Sequence, residues 1–371
     1  MKLSLLKEKL LKALSTVLRI VSNQVTLPIL SNVLISSDNG RLKIAATDLE
    51  LGIETWIGAK IIKDGSITIP AKLLYELINS ISDEKIELEV ADNKITIIGK
   101  KSHSTIKGMA ANDFPLIPRI KNPLISIKIK ASVLKNAIAK NSFASATDET
   151  RPVLTGILLK ITKENYILAS TDSYRLCEFK IPHKQKITNA TEVIIPRRTM
   201  LELARIATND EDEIKIDIGE NQIVFSFGNI YFISRIIEGS FPEYEQIIPK
   251  KFDTIINIEK SLLMQSLKGA VLFSRDSANN IKVSCDKDKN SMLIKAYSQQ
   301  VGENQSEIAI SKFTGNNIKF AINASFLGEA ISSISQNILE LKLINAQSPI
   351  LIKALKDPDY FCIIMPLRQE E

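Results

Sequence analysis

Apolar residues recur at spacings of three and four in six stretches of the chain, and each stretch predicts an amphipathic helix. Leu10, Leu11, Leu14, Val17 and Leu18 form one stripe over 7–19, and Val133, Leu134, Ala137 and Ile138 form another over about 131–142. Leu262, Leu263, Leu267, Ala270 and Val271 form a third over 259–272, and further helices are predicted over 71–81, 197–207 and 324–334. Strand patterns fill 42–56, 166–181 and 292–298. Strict alternation follows in Ile86-Glu87-Leu88-Glu89-Val90, Ile214-Lys215-Ile216-Asp217-Ile218 and Leu339-Glu340-Leu341-Lys342-Leu343. Such alternation belongs to an antiparallel sheet with one covered face. Asp38-Asn39-Gly40, Asp92-Asn93 and Gly219-Glu220-Asn221 mark turns.

The pattern repeats. Pro70-Ala71-Lys72 opens a helix after an apolar run. Pro196-Arg197-Arg198 does so 126 residues later, and Asn323-Ala324-Ser325 does so 127 after that. Thr47-Asp48 and Thr171-Asp172 are 124 apart, and Phe114-Pro115 and Phe241-Pro242 are 127 apart. A period of this length is a domain rather than a solenoid unit. The expectation is an α+β chain of three similar domains, 1–121, 122–250 and 251–371. Each holds two halves of one helix plus antiparallel strands. Short polar, proline-containing segments at Lys121-Asn122-Pro123 and Pro249-Lys250-Lys251 suit the boundaries.

Bulk properties remove several function classes. No apolar run reaches the roughly 18 residues of a membrane span. The first residues, Met1-Lys2-Leu3-Ser4-Leu5-Leu6-Lys7-Glu8, lack a signal-peptide core. Cys177, Cys285 and Cys362 are odd in number and far apart, which gives no disulfide framework and fits a reducing cytoplasm. His103 and His183 have no ligand-spaced partners, so neither a metal nor a cofactor is expected.

The net charge of +6 is mild, but its distribution is informative. Segments 2–20, 71–80, 128–142, 196–208, 260–275 and 323–336 hold sixteen basic against four acidic residues, while the remainder is net acidic. A solvated helix face ordinarily mixes both signs. The bias suggests helices that share a surface facing a polyanion, through phosphates and without sequence preference. No aromatic-basic alternation for single strands appears.

Catalytic signatures for phosphate loops, dinucleotide binding, serine hydrolysis and zinc proteolysis are absent from the sequence. Thr47-Asp48 and Thr171-Asp172 read as turns whose Asp accepts backbone N–H groups. Asp210-Glu211-Asp212-Glu213 reads as a solvated loop.

Several segments together closely resemble the bacterial DNA polymerase III beta subunit family, the sliding clamps. They are Thr26-Leu27-Pro28-Ile29-Leu30-Ser31-Asn32, Ala46-Thr47-Asp48-Leu49-Glu50, Asp113-Phe114-Pro115 and Arg151-Pro152-Val153-Leu154-Thr155-Gly156. Ser170-Thr171-Asp172-Ser173-Tyr174-Arg175-Leu176, Ile195-Pro196-Arg197, Gly239-Ser240-Phe241-Pro242-Glu243-Tyr244 and Met365-Pro366-Leu367-Arg368 complete the set, in order along the whole chain. The resemblance implies a head-to-tail homodimer closed into a ring, with helices lining the hole and sheets outside. It implies a non-catalytic processivity factor that encircles double-stranded DNA. The partners it implies are the replicative DNA polymerase alpha subunit, an ATP-driven clamp loader, and other polymerases and repair proteins with clamp-binding motifs.

It further implies a partner-peptide cleft between the second and third domains. The matching positions are Arg151, Leu154, Thr171, Ser173, Tyr174, Arg175, Leu176, Pro242, Ile247, Asn323, Phe326, Pro349, Ile363, Met365, Pro366, Leu367 and Arg368. Apolar members would form the anchor pocket, and Arg and Thr the rim. Alternate residues of 360–365 would face core and cleft. DNA-facing candidates by helix position are Lys12, Arg19, Lys72, Lys135, Lys140, Arg197, Arg198, Arg205, Lys268 and Arg275. For the subunit interface, Leu272 and Phe273 match family contacts, with Ile106 opposite. Leu367 stands where members often carry Met, Gln347 replaces an apolar residue, and Gln24 sits where some members have an arginine. Gln369-Glu370-Glu371 adds two negative charges beside the cleft. Two other readings compete: a three-domain enzyme with a junctional site, and a monomeric peptide-binding scaffold without DNA binding.

Overall fold

A computed structural model of the chain describes residues 1–21, 27–187 and 190–368. Gln24 and the 369–371 tail lie outside the described residues. Six helices form where the periodicity predicts them: α1 (Lys7–Val17), α2 (Ala71–Ser80), α3 (Ala131–Asn141), α4 (Arg197–Ile206), α5 (Lys260–Leu272) and α6 (Ala324–Ser333). Each buries one stripe. In α1, Leu10, Ala13, Leu14 and Val17 are within 4% of complete burial, each large aliphatic contributing on the order of 2 kcal/mol. Helices α1, α2 and α5 begin directly after a strand residue with no side-chain cap, whereas α6 has one. Asn323 Oδ1 accepts from the backbone N–H groups of Ser325 (2.9 Å) and Phe326 (3.1 Å), which satisfies two donors at the helix start.

The chain packs as two compact units, Met1–Lys135 with Arg198–Ile236, and Asn136–Arg197 with Ile237–Glu371. This division cuts through the middle third of the sequence repeat. In the first unit an eight-stranded sheet runs Ile125–Lys130, Glu213–Ile218, Gln222–Phe227, Ile230–Arg235, Leu51–Gly58, Arg41–Thr47, Asn32–Asp38, Ser66–Pro70. Its pairing of Ile230–Arg235 with Leu51–Gly58 joins residues from two different thirds. A second sheet of five strands ends on His103–Lys107. Arg119 holds the segment after Phe114 in place. Its guanidinium lies 3.9 Å from the Tyr231 ring centroid and 5.4 Å from that of Trp56, and it pairs with Glu54.

The second unit repeats this plan. A nine-stranded sheet places Arg175–Pro182 beside Tyr360–Ile364, again joining different thirds, and a four-stranded sheet ends on Gly302–Ala309. All named strand pairs are antiparallel. The alternating segments behave as expected: Ile86, Leu88, Ile214, Ile216, Leu339 and Leu341 are buried while their charged neighbours are more exposed. The stretches 42–56 and 166–181 each resolve into two strands, broken at their Thr-Asp turns.

Candidate functional site

The second Thr-Asp turn builds the site. Asp172 Oδ1 accepts from the N–H groups of Tyr174 and Arg175, both at 3.0 Å. Thr171 Oγ1 donates to Arg175 O (2.6 Å) and accepts from Ser173 N (3.1 Å). Ser173 takes a left-handed φ of 77°. With its backbone groups satisfied inside the turn, the loop holds the Tyr174 side chain out at 63% exposure.

A cavity of about 550 Å³ opens beside this turn. It gathers six of the predicted cleft residues: Arg151, Leu154, Ser173, Tyr174, Arg175 and Phe326. Arg151 Nη1 donates to Ser173 Oγ (3.2 Å). Met365 is tied to the same turn through its backbone N–H, which donates to Tyr174 O (2.8 Å), and Leu367 N donates to Ala321 O (2.8 Å). Pro242 and Ile247 are exposed, and Pro349 and Pro366 half-buried, none of them lining this cavity. Arg368 is exposed.

Other predicted cleft positions are buried or already hydrogen-bonded. Leu176 and Ile363 are each 1% exposed and belong to an apolar cluster with Leu158, Phe241, Tyr244 and Leu351. Both faces of Tyr360–Ile364 are covered, since Ile363 and Ile364 are alike buried. The strand is flanked on both sides by strands, and its side chains alternate between two covered faces: Phe361 and Ile363 pack with the cluster of Leu176, Phe241 and Tyr244, while the Tyr360 hydroxyl meets Ser333 and Lys140 O. The Thr171 hydroxyl is engaged within the turn. Arg175 is also committed. It pairs with Asp172 (2.9 Å) and Glu329, donates to Phe143 O (2.6 Å), and lies 4.3 Å from the Phe326 ring centroid. Asn323 is occupied as the α6 cap and as a donor to Ala278 O.

The cavity also contains residues that sequence reasoning missed. Ser145, Ala146, Thr147, Asp148 and Thr150 form one side. Asp148 accepts from Thr150 N and Oγ1, each at 2.9 Å, and these bonds hold its carboxyl below the usual range. With Arg151, it gives the cavity lining one negative and one positive side chain. The Asp148-x-Thr150 spacing is an Asx-turn signal that was available in the sequence.

The basic helix faces are narrower than the composition suggests. Lys140 is only 7% exposed, with its ammonium 4.6 Å and 4.5 Å from the Phe179 and Tyr360 ring centroids. Burial lowers its pKa. It is a buried cation–π residue and not a DNA-facing one. The acidic run at 210–213 meets neighbouring lysines. Lys135 pairs with Asp210 (2.8 Å), Lys130 with Glu211 (2.8 Å) and Lys128 with Glu213 (2.7 Å). Arg198 pairs with Asp48 (2.7 Å) and Arg205 with Glu202 (2.6 Å). Arg197 is half-buried. Lys12, Arg19, Lys72, Lys268 and Arg275 are exposed, with no ion pair among the described residues. At the expected interface, Leu272 is 55% exposed and Phe273 half-buried. Ile106 is only 6% exposed. It is a core residue of its own sheet, although its strand, His103–Lys107, is a sheet edge.

Comparison with known proteins supplies the frame for these features. Models of the N-terminal, central and C-terminal domains of the DNA polymerase III beta subunit match residues 1–118, 128–243 and 245–368. The beta sliding clamp of Synechococcus elongatus is 30% identical over 375 residues, covering 99% of both chains. The crystal structure of the DNA polymerase sliding clamp from Bacillus subtilis superposes with a TM-score of 0.96 at 26% identity, covering all of both chains. That of the DNA polymerase III subunit beta from Pseudomonas aeruginosa gives 0.95 at 27% identity, covering 99% and 100%. With three successive domain models matched in order from residue 1 to residue 368, the chain belongs to the DNA polymerase III beta subunit family, the sliding clamps.

Proposed function

We propose that the chain is a homodimeric ring that encircles duplex DNA without sequence preference and tethers the replicative polymerase and repair proteins. The in-order match to all three domain models carries this reading. The chain acts as a non-catalytic processivity factor in the cytoplasm, opened and closed on DNA by an ATP-driven loader. Domains 1–121, 122–250 and 251–371 are the repeat units of the ring. Among the described residues, no helix is long and apolar enough to cross a membrane.

Lys12, Arg19, Lys72, Lys268 and Arg275 are the DNA-facing set we retain, since their charges are exposed and uncompensated. Contacts of this kind give salt-dependent binding. The sheet edges His103–Lys107 and Gly302–Ala309 offer unpaired backbone groups for a head-to-tail dimer, with Leu272 and Phe273 as apolar contacts. Partner peptides enter between the Tyr174 turn and the Met365-Pro366-Leu367-Arg368 segment, with Pro242, Ile247 and Phe326 nearby in the family pattern.

The test is topological. Protein loaded by loader and ATP onto a nicked circle is expected to remain bound, and to slide off once the circle is cut. Equal loss from both forms overturns the ring. Met365→Ala with Leu367→Ala is expected to weaken polymerase-peptide binding and leave the dimer intact. Light scattering that shows monomers would instead make these residues structural.

A further inference from the structure

Two of the three cysteines face each other across adjacent strands of the nine-stranded sheet. Cys177 in Arg175–Pro182 is in register with Cys362 in Tyr360–Ile364. Their sulfurs are 2.7 Å apart, and each residue is 1% exposed. The flanking bonds fix the type of pair. Met365 N donates to Tyr174 O and Lys180 N donates to Asp359 O. Hydrogen-bonded and non-hydrogen-bonded pairs alternate along an antiparallel ladder. Counting inward from both ends makes 177/362 a non-hydrogen-bonded pair. Such pairs have Cα atoms about 4.5 Å apart, inside the range of about 4.4–6.8 Å that a disulfide spans. No local pattern announces this pairing, because the two residues are 185 positions apart.

We propose that Cys177 and Cys362 are a redox modification site, closed by peroxide into a reversible intramolecular disulfide. One thiol reduces hydrogen peroxide, becoming a sulfenic acid with release of water. The other thiol then attacks that sulfur, forming the S–S bond and releasing a second water. Two electrons pass from the pair of sulfurs to the peroxide, and a dithiol reductant returns them. Burial pushes the Cys177 thiol up and the pair lies inside the sheet, so attack proceeds through transient opening of the sheet rather than on its closed form. The bond would lock together the strands that lead into Tyr174 and Met365. This inference stands on the sheet geometry and does not depend on the clamp reading.

The third cysteine is a built-in control. Cys285 is buried to a similar degree, at 3% exposure, in the four-stranded sheet and pairs across the ladder with Met292. Full-length protein is treated with hydrogen peroxide, quenched, denatured and alkylated with a mass-tagged maleimide. The expected result is loss of two labels of three, recovered by dithiothreitol. Peptide mapping should join the Cys177 and Cys362 peptides of one chain. The oxidised protein should melt about 5 °C or more above the reduced protein, and Cys177→Val with Cys362→Val should abolish that shift. Three labels retained after treatment, equal loss at Cys285, or linkage only between chains overturns the proposal, and the first outcome makes the pair simple core packing. Because the labelling uses the wild-type chain, poor folding of the double variant leaves the test intact.

Discussion

The turns at Thr47-Asp48 and Thr171-Asp172 are the same object in two places. Asp48 Oδ1 accepts from Glu50 N (3.1 Å) and Leu51 N (2.7 Å), and Thr47 Oγ1 donates to Leu51 O (2.7 Å). Leu49 takes a φ of 76°, against 77° at Ser173. What differs is what the turn presents. The first displays Leu49 and Glu50 and sends its second carboxylate oxygen to Arg198. The second displays Ser173 and Tyr174 over a cavity and closes on Arg175, whose guanidinium reaches Phe143, Glu329 and Phe326. A shared backbone device thus displays an aliphatic and an acidic side chain in one copy, and a serine and a tyrosine beside a cavity in the other. The difference lies in the side chains displayed and their surroundings, not in the turn.

The comparison breaks most visibly at the aspartates. Asp172→Ala removes the acceptor of two backbone N–H groups and one partner of a largely buried arginine, and is expected to cost about 3 kcal/mol. Asp48→Ala likewise removes the acceptor of two backbone N–H groups but faces an arginine that is half exposed, so about 1–2 kcal/mol is expected. Trp56 is the only tryptophan and lies in the first unit. Its fluorescence in a urea titration should shift for Asp48→Ala, while Asp172→Ala should shift only the circular dichroism. Equal costs would show that Arg175 adds nothing to its turn.

Next comes recognition. Tyr174→Ala should weaken polymerase-peptide binding about tenfold with stability unchanged, as measured by calorimetry, whereas Leu49→Ala should leave binding intact. Loss of binding in both would remove the distinction between the turns.

A smaller effect concerns the left-handed positions. Leu49 is 49% exposed, so Leu49→Gly relieves backbone strain with little lost burial, and a gain of about 0.5 kcal/mol is expected in the urea midpoint. Ser173→Gly should gain similarly.

The smallest effect is a slope. The two units hold a helix lysine differently, with Lys135 paired near the surface and Lys140 buried between aromatic rings. Burial lowers the Lys140 pKa, so in the interval just below the usual lysine range the unfolded chain binds the extra proton. Stability contributed by this site therefore rises with pH across that interval. Lys140→Met should remove the rise, and Lys135→Met should not.

Much of this was legible locally. The helix stripes and the Thr-Asp turns rest on interactions within a few residues, so their spacing announces them. The Asx turn at Asp148 was legible, but its place beside the Tyr174 turn was not, because packing brings Ser145, Thr147 and Asp148 there. Nor was the neutralisation of Lys128 and Lys135, whose carboxylate partners lie 85 and 75 residues away. Composition counts charges but cannot see that an acidic loop folds back over a basic strand and helix. Lys140 shows the same limit, since helix position alone placed it toward solvent.

The pairing of Arg175–Pro182 with Tyr360–Ile364 sets a timetable for the newborn chain. The partner strand emerges about 185 residues later. At about 5–20 residues per second that is roughly 10–40 s of synthesis. Through that interval an apolar strand, with Leu176, Cys177, Phe179 and Ile181 all destined for burial, has one edge unpaired. The second unit can complete its sheet only once that strand has emerged, so until then this edge stays open to misassembly.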